Sequence, residues 1–284
     1  LKTIIYSEGI IMAHMIFDPK QCVSQRAKPL PIILLLDTSG SMNIVTNPDE
    51  VTRTGRTDVI DGNIVEYVDG GITRISVLNN SVRKMLKTLS KYERESTEFL
   101  VSIITFGLDT RLVLPPSQVA RIHFDDLKAD GNTPLGKALD IAKDLIDDRA
   151  RIPSRSYRPL VILVSDGEPD DGWKVKFDNF ITQGRSAKCD RMALAIGDEA
   201  NRKMLMDFID GTGHSLFEAD TAEEITNFFK FVTMSTVQRT LSRNPDEIPT
   251  DANVYTSHSQ SLSGYENETD STKRSQADEE ESYW

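Results

Sequence analysis

Pro31-Ile-Ile-Leu-Leu-Leu36 runs straight into Asp37-Thr38-Ser39-Gly40-Ser41, and that junction decides the fold. The apolar run falls well short of the ~18 residues a membrane-spanning helix needs. It is too continuous for a strand with one wet face, and it reads as a strand buried on both faces. A Ser/Gly turn ends it.

Outward from this strand, the chain alternates strand and helix. Ile75, Leu78, Val82, Met85, Leu86 and Leu89 fall on one helical face. Phe99–Phe106 reads as a strand, and Arg111–Leu114 as a short one stopped by Pro115-Pro116. Leu135–Ile146 reads as a helix, Leu160–Val164 as a buried strand, Trp173–Ala187 as a helix and Met192–Ile196 as a strand. Helices are expected at Lys203–Ile209 and Glu223–Val237, with a short strand at Ser215–Phe217 between them. Continuous Ile/Leu/Val strands between helices imply an α/β fold: a doubly wound, mostly parallel sheet flanked by helices. Ligands of such sheets bind at the carboxyl ends of the strands.

One piece breaks the pattern. Residues 43–73 are polar, and Asp61-Gly62-Asn63 lies between two β-prone runs, which signals a hairpin inserted after the first strand. The domain is therefore expected over 28–242, with 43–73 inserted and 1–27 as an N-terminal extension. Leu1 opens the chain, and Met12 and Met15 are candidate starts. Residues 1–27 lack a basic segment followed by an apolar core and cleavage site, so no secretory signal is expected.

From Arg243 to Trp284 the chain is polar, with ten acids against three bases, and holds −7 of the net −11. Such a stretch buries too little apolar surface to offset its chain entropy, and a disordered acidic tail is expected over 243–284. It reads as a solubilising tail, with an interaction motif at Asp278–Trp284 as the alternative. The body is left at −4. Against nucleic acid the argument is therefore local, and rests on acids near the sheet's carboxyl edge: Asp37, Asp166, Asp170 and Asp171. Two cysteines, Cys22 and Cys189, provide neither a disulfide framework nor a Cys-rich zinc module and fit a reducing cytosol. His14, His123, His214 and His258 show no ligand spacing and read as surface or structural residues.

The chemistry gathers in three strings. Asp37-Thr38-Ser39-Gly40-Ser41 follows the first strand, Gly131-Asn132-Thr133-Pro134-Leu135-Gly136 precedes a helix, and Ser165-Asp166-Gly167-Glu168 ends a buried strand. Each alone has an ordinary reading. Asp and Ser can cap amides in a turn, Thr133 can cap a helix opened by Pro134, and Asp-Gly can simply turn the chain. Together they present carboxylates of Asp37 and Asp166 and hydroxyls of Ser39, Ser41 and Thr133, the oxygen donors a hard cation prefers. Hydroxyl ligands leave such an ion under-neutralised, so that an external carboxylate can complete its shell.

At these residues the sequence resembles the von Willebrand factor type A family. Asp-x-Ser-x-Ser, the distal Thr and the distal Asp are that family's metal-ion-dependent adhesion site, and the resemblance covers about 28 to 240. Within the family the chain is similar to short bacterial cytosolic members of the tellurium-resistance TerY type. The resemblance implies Mg²⁺ (or Mn²⁺) held by Asp37, Ser39, Ser41, Thr133 and Asp166, with Asp166 acting through water and Thr133 in the ligand-engaged state. It implies a cytoplasmic stress-response or phospho-signalling adaptor that captures an acidic residue of a partner protein, a kinase or phosphatase. From the acidic charge and the lack of a spanning apolar run, no nucleic acid and no membrane are expected as partners. The insertion is long for the TerY type and would sit beside the metal.

Other chemistries fit less well. A haloacid-dehalogenase-like phosphotransferase needs an acid where Ser39 stands. A serine hydrolase needs a Gly-x-Ser-x-Gly elbow, and nucleotide hydrolysis needs a P-loop; neither is present. A metal-assisted phosphoryl or ester hydrolase is the alternative function, but the three strings hold no His, Lys or Cys to act as base or nucleophile.

Overall fold

A computed structural model describes residues 27–48, 51–60, 63–93, 97–170 and 172–242. The N-terminal extension up to residue 26, the segment 243–284 and Asp171 lie outside the described residues. Among the described residues the chain forms, in order, β1 (Lys28–Thr38), β2 (Thr52–Ile60), β3 (Asn63–Asp69), α1 (Arg74–Tyr92), β4 (Thr97–Gly107) and β5 (Arg111–Gln118). It continues through α2 (Leu135–Asp147), β6 (Leu160–Ser165), α3 (Trp173–Thr182), β7 (Asp190–Ile196), α4 (Arg202–Ile209), β8 (Phe217–Ala219) and α5 (Ala222–Leu241).

The main sheet runs β5-β4-β1-β6-β7-β8, parallel except for the antiparallel edge strand β5. Successive strand residues face opposite sides, and β1 shows what this means for a continuous apolar run. Leu30, Ile32, Leu34 and Leu36 pack into the core beneath α1 and α5. Ile33 and Leu35 pack into the second core, with α2, α3 and α4. The doubly wound α/β reading therefore holds, in a single domain.

The connections place the site. After β1 the chain builds outward on one side through β4 and β5, then crosses to the other side of β1 for β6, β7 and β8. The order reverses between β1 and β6, whose carboxyl ends part there to leave a crevice. Leu36 pairs with Val164, so Asp37 and Ser165 emerge side by side.

The insertion is a hairpin, β2 pairing antiparallel with β3 as a separate two-stranded sheet; Asp61 and Gly62 fall outside the described residues. Its base is closed by a Val45–Thr73 bridge and by backbone bonds from Thr46 N–H to the Ile72 carbonyl (2.8 Å) and from Arg74 N–H to the Ile44 carbonyl (2.9 Å). This strap fixes where α1 begins, with the Thr73 hydroxyl accepting from Ser76 N–H as its cap.

Four local expectations are corrected. β5 does not stop at Pro115 but continues to Gln118. An edge strand tolerates proline, and the register slips between the Val101–Ser117 and Ile103–Leu114 pairs to accommodate the two. The helix from Trp173 ends at Thr182, before Gly184 turns the chain with φ +73°, and Ser186–Lys188 is only a 3-10 turn. The short edge strand lies at Phe217–Ala219, where it pairs with Leu194–Ile196. Pro134, not Thr133, occupies the capping position before Leu135, and no side chain caps that helix.

Candidate metal centre

Asp37, Ser39, Ser41 and Asp166 converge at the carboxyl ends of β1 and β6. Asp37, Ser39 and Asp166 are fully buried and Ser41 is 2% exposed. Asp37 is held on both oxygens: Ser39 N–H donates to Oδ1 at 2.9 Å and Ser165 Oγ donates to Oδ2 at 2.7 Å. The Ser39 and Ser41 hydroxyls are 2.9 Å apart, and Ser41 donates to Asp166 Oδ1 at 2.8 Å. The turn Gly40–Asn43 is a short 3-10 helix, which swings Ser41 back beneath Ser39.

Thr133 joins through the loop that carries it. Gly40 N–H donates to the Gly131 carbonyl and Asp130 N–H to the Thr38 carbonyl, both at 2.8 Å, and Leu108 N–H reaches the Asp130 carbonyl at 2.7 Å. The ends of β1 and β4 thereby grip the 130–133 loop. Gly131 is required here, with φ +78°, because a β-carbon would lie 2.4 Å from the Leu108 backbone. The Thr133 carbonyl accepts from Asp170 N–H at 3.2 Å, and its hydroxyl lies 3.5 Å from where a β-carbon on Gly167 would sit. Thr133 is thus buried against the Asp166 loop. Asp170 is exposed beside it.

Sequence reasoning missed two members. Ser165 is adjacent to Asp166 in the chain and could have been included with it. Arg74 carried no such signal: it is the first residue of α1, 92 positions from Asp166, and its Nη1 donates to Asp166 Oδ2 at 2.9 Å. It is seated against Gly197, where a β-carbon would lie 2.3 Å from Arg74 Nη2. Gly197 also has φ +72°, so replacing it by Ala combines backbone strain with displacement of the guanidinium. The Gly197→Ala protein is expected to lose about 2 kcal/mol of stability in chelator, read from urea unfolding. Unchanged stability would contradict this seating of Arg74.

The electrostatics follow from two buried carboxylates and one guanidinium. Burial pushes the Asp37 carboxyl from 3.8 up to about 7, and the nearby Asp166 charge adds to the rise; the Ser39 and Ser165 hydrogen bonds pull the other way. Among the described residues no group of three or more His, Cys, Asp or Glu could hold a metal. The oxygens gathered here are two carboxylates and serine hydroxyls, a set of harder character. His214, by contrast, is buried with its Nε2 3.2 Å from Asp190 Oδ1, and His123 is exposed beside Asp125. His14 and His258 lie outside the described residues.

Residues 32–168 match the von Willebrand factor type A domain family, and the fold is that of this domain. Proximal thread matrix protein 1 from the mussel byssus is 13% identical, with a TM-score of 0.50 over 73% of this chain and 48% of that one. The PilB minor pilin from Streptococcus sanguinis is likewise 13% identical, with a TM-score of 0.50 over 75% of this chain and 62% of the pilin. The chain thus spans about half of the mussel protein's length and less than two thirds of the pilin's. No curated protein matches it in sequence.

Proposed function

Starting from this von Willebrand factor type A fold, we propose that the chain is a protein-binding module whose Mg²⁺ (or Mn²⁺) is held by Asp37, Ser39, Ser41, Thr133 and Asp166 and captures an acidic residue of a partner. The observation that carries the reading is the convergence of four buried oxygen-bearing side chains, from the end of β1, the turn after it and the loop after β6, at the sheet's switch point. Their chemistry fits a hard cation. Neighbouring oxygens of an octahedral Mg²⁺ shell lie about 3 Å apart, and the Ser39–Ser41 and Ser41–Asp166 separations are 2.9 and 2.8 Å. A bound ion would supply a positive centre for the partner's carboxylate. The chain's own residues orient and dry the site: Ser165 and Ser39 N–H fix Asp37, and Arg74 fixes Asp166.

Domains of this type generally mediate protein interactions and are typically not enzymes. The adaptor reading is supported further by the absence of His, Lys and Cys from the three site strings. A kinase or phosphatase partner and a bacterial stress-response setting follow from the TerY resemblance alone. Cys189 is buried, and burial pushes its thiol up to about 12, which leaves it unreactive. Among the described residues no helix is long and apolar enough to cross a membrane.

Affinity purification in Mg²⁺, in EDTA and with the Asp37→Ala/Ser39→Ala double variant tests the proposal. One partner is expected in Mg²⁺ alone, with the variant folded by circular dichroism. Its unchanged recovery in EDTA or with the variant contradicts the metal bridge. Turnover of a phosphate ester in Mg²⁺ that disappears in Asp37→Ala would favour the hydrolase.

A further inference from the structure

A second feature lies at the opposite edge of the sheet, where β6 and β7 begin. Residues from three stretches, between 154 and 159, between 185 and 191 and at 211–212, line a cleft of about 600 Å³; Asp190, within the second, does not line it and is buried against His214. Its walls include Arg158, Arg185, Lys188 and Arg191 and no Asp or Glu. Two of these cations are built into the wall. Arg185 donates to the carbonyls of Ile146 and Ile152, and Arg191 to those of Phe208 and Asp210. Carbonyls orient a guanidinium without cancelling its charge; Asp190 and Asp210 lie near enough to Arg191, and Asp147 to Arg185, to offset part of it from behind the wall. Arg158 and Lys188 are exposed at the mouth. Four like charges around one concavity make a site for an anionic ligand.

The chain itself carries a complementary segment that starts beside the cleft. Arg239, in the last turn of α5, donates through Nη2 to the Arg158 carbonyl at 2.6 Å. This ties the end of α5 to the cleft wall, three residues before Ser242. The next 42 residues, 243–284, hold ten acids and three bases. A tethered acidic segment meets such a cleft at high effective concentration, which favours it over the same chemistry free in solution.

We propose that the acidic segment 243–284 docks in cis in the cationic cleft formed by Arg158, Arg185, Lys188 and Arg191. Exposed ion pairs contribute little each and weaken with salt, so the docking is reversible and releases the cleft to a competing polyanion. The cleft and the metal centre lie on opposite edges of the sheet, and occupancy of one leaves the other open.

Zero-length carbodiimide crosslinking of the full chain, followed by peptide mass spectrometry, tests this. A monomer-mass product joining Lys188 Nζ to a carboxylate between Asp246 and Glu281 is expected. Its yield should fall by about fivefold or more at high salt, and equally in an Arg158→Glu variant and in an Asp278→Asn/Glu279→Gln/Glu280→Gln/Glu281→Gln variant, which alters no described residue. Four results would overturn the proposal: no link from Lys188 to the segment, a yield indifferent to salt and to both variants, a product confined to dimer mass, or protection of Lys188 only by added inorganic phosphate.

Discussion

Asp37→Asn is expected to lower divalent-cation affinity at least about 100-fold, read by calorimetric titration with Mg²⁺ or by the Mn²⁺ resonance signal, while the metal-free protein gains stability above neutral pH. The substitution is close to isosteric. The amide oxygen can still accept from Ser39 N–H, and the Ser165 hydroxyl can rotate to accept from the amide nitrogen. What is removed is the charge. In the metal-free protein the Asp37 carboxyl is raised from 3.8 to about 7 by burial and by Asp166, so the folded state holds a proton that the unfolded chain has released. The stabilising contribution of that proton is complete below about pH 4 and is lost as pH rises through 7. Wild-type melting temperature in EDTA should therefore fall between pH 5 and 8, and the Asn variant should lose most of that slope. Added Mg²⁺ should flatten the wild-type profile by favouring the ionised carboxylate. Equal cation affinity in the two proteins, or equal slopes in EDTA, would contradict this account.

Arg74→Met is expected to cost about 3 kcal/mol in chelator, because it leaves the buried Asp166 without its cationic partner. The pair is 2.9 Å long, with Asp166 fully buried and Arg74 14% exposed. The same variant should bind Mg²⁺ more tightly than wild type, since the ion then takes over the compensation that the guanidinium provided. Saturating Mg²⁺ should therefore recover most of the stability. Urea unfolding in EDTA and in Mg²⁺, alongside the metal titration, separates this from a packing role, which would leave the loss equal in both solutions. Arg74→Lys should keep part of the metal-free stability through its charge.

Much of this architecture was legible in residue order. β1 showed itself as a run too apolar for a one-sided strand, and α1 and α2 by their helical stripes. The Asp37, Ser39, Ser41 and Asp166 cluster was legible because its members sit at strand ends, where the fold class itself brings them together. Arg74 was not, since its contact depends on the closure of the 44–74 base, on Gly197 leaving room, and on a partner 92 residues away. Nor did periodicity reveal that β5 would run through Pro115 and Pro116, because an edge strand with a register slip forgives what a central strand forbids. The capping reading of Thr133 failed for a similar reason. Local chemistry allowed it, but the backbone of 130–133 is committed to Thr38, Gly40 and Leu108, and Pro134 takes the capping position instead.

The strap beneath the hairpin divides labour within a single loop. Ile44 to Thr46 and Ile72 to Arg74 close on one another through backbone bonds, so the register of α1, and with it the seat of Arg74, depends on the strap and not on β2 or β3 above it. The hairpin is thus free to diverge in sequence and length without detuning the carboxylates below. Val59 and Ile64, directly opposite each other and 63% and 80% exposed, lie in that outer part and take no share in closing the base. The insertion is in this sense an attachment on a socket that is closed by its own backbone bonds, so the outer strands can be shortened or exchanged while the seat of Arg74 stays in place.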